Sequence, residues 1–121
     1  MTYLRVTVAD HKANDGVGAF FWIARFPGGA SELAAISAMV PKEALPDIKN
    51  CDHNFWLDLI EEDGNHIDEV GLDSQTAHRM CGKYLQEFFA NRPRHCCVED
   101  ILYDPPLLAL PDGFIELEQS T

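Results

Sequence analysis

The sequence predicts an α+β fold: a mainly antiparallel sheet covered on one face by one principal amphipathic helix, with a second short helix beside it. Three observations carry this reading. Several short runs alternate apolar and polar residues, the period of a half-buried strand. One longer run beginning near Asp73 repeats its apolar residues at helical spacing instead. The regular strand-then-helix alternation that marks a parallel sheet is absent.

In chain order, Thr2 to Val8 sets Tyr3, Arg5 and Thr7 against Leu4, Val6 and Val8, which predicts a strand with one buried face. The polar DHKANDG is a loop, and the aromatic run AFFWIARF from Ala19 to Phe26 predicts a second strand, closed by Pro27-Gly28-Gly29 and paired with the first. Ser31 can cap a short helix running to about Ala38 and stopped by Pro41, although AAISAMV also suits a strand. From Pro41 to Asn54 the prolines and polar residues predict an irregular connection.

Phe55 to Glu61 places Phe55, Leu57 and Leu59 on one face, and Trp56, Asp58 and Ile60 on the other. His66 to Leu72 follows the EDGN turn, so the two runs form a hairpin with an acidic tip. Asp73 or Ser74 caps the principal helix, whose stripe is Ala77, Met80, Cys81, Tyr84, Leu85, Phe88 and Phe89, up to Asn91-Arg92-Pro93. Beyond it a short apolar piece spans Val98 to Tyr103, a proline-rich loop spans Pro105 to Pro111, and Phe114 to Leu117 predicts a last strand. No internal repeat or linker interrupts the chain, so its 121 residues are expected to form one domain with one core.

The charge is unusual. Twenty acids against nine lysines and arginines leave a formal charge of -11. Such a surface repels phosphate backbones and anionic lipid and attracts basic proteins, so the expected partner is a basic protein rather than nucleic acid or a membrane. No basic segment followed by a long apolar one opens the sequence, and no run reaches the roughly 18 to 20 apolar residues that cross a bilayer, so a cytoplasmic location is expected. Cys51, Cys81, Cys96 and Cys97, two of them adjacent, do not form the spaced framework of a small secreted scaffold.

No motif identifies a chemistry. Neither GxGxxG nor GxxxxGK[ST] occurs, so nothing is set to cradle phosphate. Aligning Gly64 with the invariant glycine of an EF-hand puts Leu59 and Val70 where carboxylates are required, which leaves only weak surface binding of divalent ions at the tip. Cys51, His53, His95, Cys96 and Cys97 offer zinc-ligand chemistry, but in CxH and HCC spacings that do not turn paired thiolates toward one ion. Cys81 lies on the apolar stripe of the helix, where a thiol is packing material. Only Cys96 and Cys97, next to Arg94 and His95, sit in a basic neighbourhood that favours a thiolate. No metal or cofactor is expected, and an enzyme built on Cys51, His53, His95 and Cys96 is the alternative of another class.

The acids themselves are the feature to explain. Between Asn50 and His78 there are eight acids and no lysine or arginine, and after Arg94 six more acids with no lysine or arginine. The plain reading is a solvated face that keeps the domain soluble. The sharper one is a surface that steers toward a basic cleft and speeds association, with Trp22 or Trp56 as apolar anchors inside a charged rim. On that reading Asp58, Glu61, Glu62, Asp63, Asp68 and Glu69, with Trp56, contact the partner.

The run AHRMCGKYLQEFFANRPRHCCVED, an amphipathic helix ending in FF followed by an N-R-P turn and a short strand with cysteine and valine, resembles the C-terminal part of small bacterial immunity proteins. The likeness covers residues 73–100. It implies an α+β fold without catalysis, in a cytosolic inhibitor that plugs a toxin's basic active site with acids and aromatics. Phage-encoded inhibitors of nucleic-acid defences, anti-CRISPR proteins among them, are similar in size and charge, and on that alternative the acids act as phosphate mimics. The expectation is therefore a non-enzymatic acidic inhibitor.

Overall fold

A computed structural model of the chain describes residues 1–11, 19–44, 53–90 and 105–115. Four strands form one antiparallel sheet: β1 (Thr2–Asp10), β2 (Ala19–Pro27), β3 (His53–Glu61) and β4 (His66–Leu72), in the order β2-β1-β3-β4. Two helices accompany it, α1 (Ala30–Met39) and α2 (Ser74–Ala90). This is the α+β architecture that the sequence predicts.

The strands sort their side chains as alternation requires. Leu4, Val6 and Val8 of β1, Phe21, Ala24 and Phe26 of β2, Phe55, Leu57 and Leu59 of β3, and Leu72 of β4 form one buried cluster with Leu33 and Ile36 of α1 and Ala77, Met80, Cys81 and Leu85 of α2. Both helices therefore contribute to the core on one face of the sheet. The opposite face carries Tyr3, Arg5 and Thr7 in β1, beside Trp56 and Asp58 in β3.

Two bulges adjust that face. In β2 the register steps from Val6↔Ala24 to Thr7↔Trp22, leaving Ile23 as the extra residue. The step sets Trp22 opposite Thr7 and so brings it to the second face, which Arg25, opposite Arg5 before the step, occupies by plain alternation. In β4 the register steps from Leu59↔Asp68 to Ile60↔His66, leaving Ile67 extra. Strict alternation back from Leu72 would put His66 on the helix side; the bulge turns it to the face of Glu69 instead.

α1 is a helix, which resolves the ambiguity of AAISAMV, but its N-cap is Gly29 rather than Ser31. Glu32 reaches back to accept a hydrogen bond from the Gly29 amide at 2.6 Å, and Pro41 follows the C-cap Val40. Asp73 caps α2, with Oδ2 accepting from the Thr76 amide at 3.2 Å. α2 is not straight. Cys81 leaves helical geometry (φ -148°, ψ 39°), a kink placed where Gly82 follows and lowers the cost of the bend.

Pro41 is followed by one turn of 3-10 helix, Lys42–Ala44, and the rest of that connection lies outside the described residues. The proline-rich segment is more ordered than a loop: the Arg25 amide donates to the Pro106 carbonyl at 2.9 Å, and the Leu108 amide to the Arg25 carbonyl at 2.8 Å. Leu108 and Leu110 pack against the core and Leu107 stays exposed. The predicted last strand is not borne out at its start, where Phe114 is buried in a bend after Gly113, whose φ of 71° suits glycine and breaks an extended run. Its remaining residues, and the predicted piece from Val98 to Tyr103, lie outside the described residues.

Candidate functional site: the acidic hairpin

The β3–β4 hairpin brings its acids to two different places. The first is the middle of the sheet, on the face opposite the helices. Asp58 is only 6% exposed. Its Oδ2 accepts a 2.5 Å hydrogen bond from the Thr7 hydroxyl and faces an Arg5 guanidinium nitrogen at 3.4 Å. Pairing of β1 with β3 puts Arg5 directly opposite Asp58, so the contact is a cross-strand pair fixed by register. Arg5 is buried in turn and stacks its guanidinium over the Trp22 ring, 4.2 Å from the centroid. Burial lowers the pKa of Arg5, while the charge of Asp58 and its hydrogen bond pull the other way.

On its other side Asp58 meets β4. Glu69 is its cross-strand partner, and the bulge delivers His66 beside both. His66 Nε2 lies 3.5 Å from Asp58 Oδ1 and 3.1 Å from Glu69 Oε1. The side chains of His66 and Glu69 are about half exposed, so this end of the cluster opens to solvent.

The second place is the tip. Glu61, Glu62 and Asp63 are exposed, and Gly64 turns the chain with φ of 94°. The Asn65 amide donates to Asp63 Oδ1 at 3.0 Å, an Asx contact that holds the turn. Asp68 is also exposed, its Oδ1 accepting from the Glu69 amide at 2.8 Å. Among the described residues, no lysine or arginine pairs with Glu61, Glu62, Asp63 or Asp68. The three tip acids surround a recess of about 570 Å³ whose apolar lining comes from Met1 and Ile67, both exposed. Ile67 is the bulged residue of β4, released outward because it has no cross-strand partner.

The predicted contact set therefore divides. Glu61, Glu62, Asp63, Asp68 and Glu69 stand at the surface, whereas Asp58 is withdrawn into an ion pair and is not available to a partner as a free charge. Trp56 is half-buried and about 16 Å along the strand from Glu61, five residues at roughly 3.3 Å each, so it lies apart from the tip. Trp22 is occupied by Arg5. Sequence reasoning missed His66 and Ile67, and both depend on the bulge.

Of the thiol and imidazole set, Cys51, His95, Cys96 and Cys97 lie outside the described residues. His53 meets the Phe55 ring edge-on and also contacts the Phe89 ring, with centroids 5.4 and 4.9 Å away. Cys81 is buried, its thiol pushed up to about 12 by desolvation, which keeps it protonated and unreactive. No helix of the described residues is long and apolar enough to cross a membrane. No known protein family, curated protein or solved structure matches the chain.

Proposed function

We propose that the protein is a non-enzymatic inhibitor that binds a basic partner protein through the β3–β4 hairpin. The observation that carries this reading is the tip: three exposed acids, none in an ion pair with a described lysine or arginine although Arg5 and Arg25 line a neighbouring recess with Glu62 and Asp63, around a recess with Met1 and Ile67 in its wall. An arginine or lysine of a partner fits both parts, its stem on the apolar wall and its charged head among the carboxylates. Asp68 and Glu69 extend the negative surface along the edge strand. That arrangement speeds encounter with a positively charged cleft and orients the docking.

The bacterial-immunity resemblance supplies one class of partner, a toxin whose basic active site is plugged. The phage-inhibitor alternative supplies another, a nucleic-acid-binding defence enzyme in whose groove the acids replace phosphates. Both predict the same physical behaviour. An affinity capture from lysate of the source cells, run at low and at high salt, should retain a basic protein at low salt and release it at high salt. The captured protein's own substrate then decides between the two classes. Capture that is indifferent to salt would remove the electrostatic interface. The thiol or metal enzyme of Cys51, His53, His95 and Cys96 predicts instead a thiol that alkylates fast at neutral pH or a metal bound through sulfur.

A further inference from the structure

We propose that Asp58, His66 and Glu69 form a binding site for a divalent first-row cation of the zinc class. The inference is independent of the inhibitor reading. It rests on three donors brought together by register and by a bulge: one ligand atom from each of the three residues lies within 4.8 Å of the other two. A tetrahedral ion with bonds of about 2.0–2.1 Å sets its ligand atoms about 3.3 Å apart. The His66–Glu69 and His66–Asp58 separations of 3.1 and 3.5 Å bracket that edge. The Asp58 and Glu69 ligand atoms lie within 4.8 Å of each other, and the exposed Glu69 side chain is free to rotate inward to close that edge.

The supporting contacts fit the role. Asp58 Oδ2 is held by Thr7 and Arg5, which fixes the carboxylate and points Oδ1 toward His66. Ligating carboxylates are oriented by partners of this kind. The imidazole makes the set a borderline one, suited to zinc, cobalt or nickel, whereas calcium asks for six to eight oxygens and magnesium for oxygen donors in an octahedron. Arg5 offsets one of the two negative charges, so the site is weaker than one with both carboxylates unopposed. With His66 and Glu69 at the surface, the fourth position is open to water or to a donor from another molecule.

The test is calorimetric titration of Zn²⁺ into the chelator-treated full-length protein, with Co²⁺ as a spectroscopic probe. One equivalent is expected on the wild type, with binding at least about ten-fold weaker in His66→Ala and in Glu69→Gln. Both changes lie at the exposed end of the cluster, and an unchanged circular dichroism spectrum shows that the fold survives. Bound Co²⁺ should show nitrogen and oxygen coordination without thiolate charge transfer. Absence of Zn²⁺ binding by the wild type would overturn the proposal, leaving His66 as an ion-pair bridge. So would full affinity in both variants, or Co²⁺ absorption that reports only thiolate ligands from the cysteines.

Discussion

Asp58 and the tip acids belong to one hairpin, yet their surroundings differ in every respect but charge. Asp58 is 6% exposed, opposite an arginine and bonded to a threonine, all fixed by the pairing of β1 with β3. Glu61 and Glu62 are exposed and form no ion pair with a described cation. An acid whose partner lies within the fold contributes to folding, because removing either partner leaves a buried charge uncompensated. An acid without one contributes little to folding and is free to attract a charge from outside. The same side-chain chemistry thus serves architecture in the middle of β3 and recognition at its end.

That comparison is sharpened most by removing Asp58. Asp58→Ala should cost about 3–5 kcal/mol in denaturant unfolding, because Arg5 is then buried with no counter-charge. A loss under about 1 kcal/mol would place Asp58 with the surface acids. Thr7→Val, which keeps shape and deletes the hydroxyl donor, should cost roughly 1.5–3 kcal/mol by the same measurement, the range for a hydrogen bond to a charged group. The triple reversal Glu61→Lys, Glu62→Lys, Asp63→Lys should leave stability within about 1 kcal/mol of wild type, the small cost falling mainly on the Asx contact of Asp63. Stability that collapsed in this variant would show the tip to be structural.

Glu32 is a third kind of acid, held below the usual carboxylate range chiefly by its hydrogen bond from the Gly29 amide. Its folded pKa is depressed, so its contribution is present above the ordinary glutamate range and is lost as the pH falls through that range and below it. The effect is the smallest of the four. Glu32→Ala should flatten the acid limb of the stability curve slightly and change nothing at neutral pH beyond the loss of the capping contact itself.

The strands and helices were legible where one period ran unbroken. Leu4, Val6 and Val8, and Phe55, Leu57 and Leu59, face the core as their alternation requires, and the stripe of α2 buries Ala77, Met80, Cys81 and Leu85. Alternation also set Asp58 between Trp56 and Ile60 on the second face, a hint that this acid was not simply solvated. What alternation does not contain is the register that puts Arg5 opposite it. The bulges at Ile23 and Ile67 were illegible for a related reason. A bulge is one extra residue in an otherwise regular pattern, and nothing in WIARF or HIDEV marks which residue is extra. His66 was missed because period two assigns it to the wrong face. The strand expected at Phe114 failed on its neighbour, since Gly113 in the left-handed region turns the chain and Phe114 is buried as part of a bend.

The acids of β4 have a second consequence. Asp68 and Glu69 lie on an edge strand, where charge and a bulge both discourage pairing with another sheet. Edge protection accounts for those two residues without a partner. It does not account for Glu62 and Asp63, which stand beyond the strands at the turn, or for Glu61, the last residue of β3, whose partner strand is β1 rather than the edge strand, so the tip is where the inhibitor reading is decided.

The most direct measurement is a paired capture from lysate of the source cells at low salt, with the wild type and the Glu61→Lys, Glu62→Lys, Asp63→Lys variant as baits, and bound proteins quantified by mass spectrometry. The account predicts a basic protein enriched on the wild type and lost from the variant, with an association rate on the purified pair reduced by roughly 10- to 1,000-fold and a weaker salt dependence. The same basic protein retained equally by both baits would contradict it, and would move the interface away from the hairpin tip.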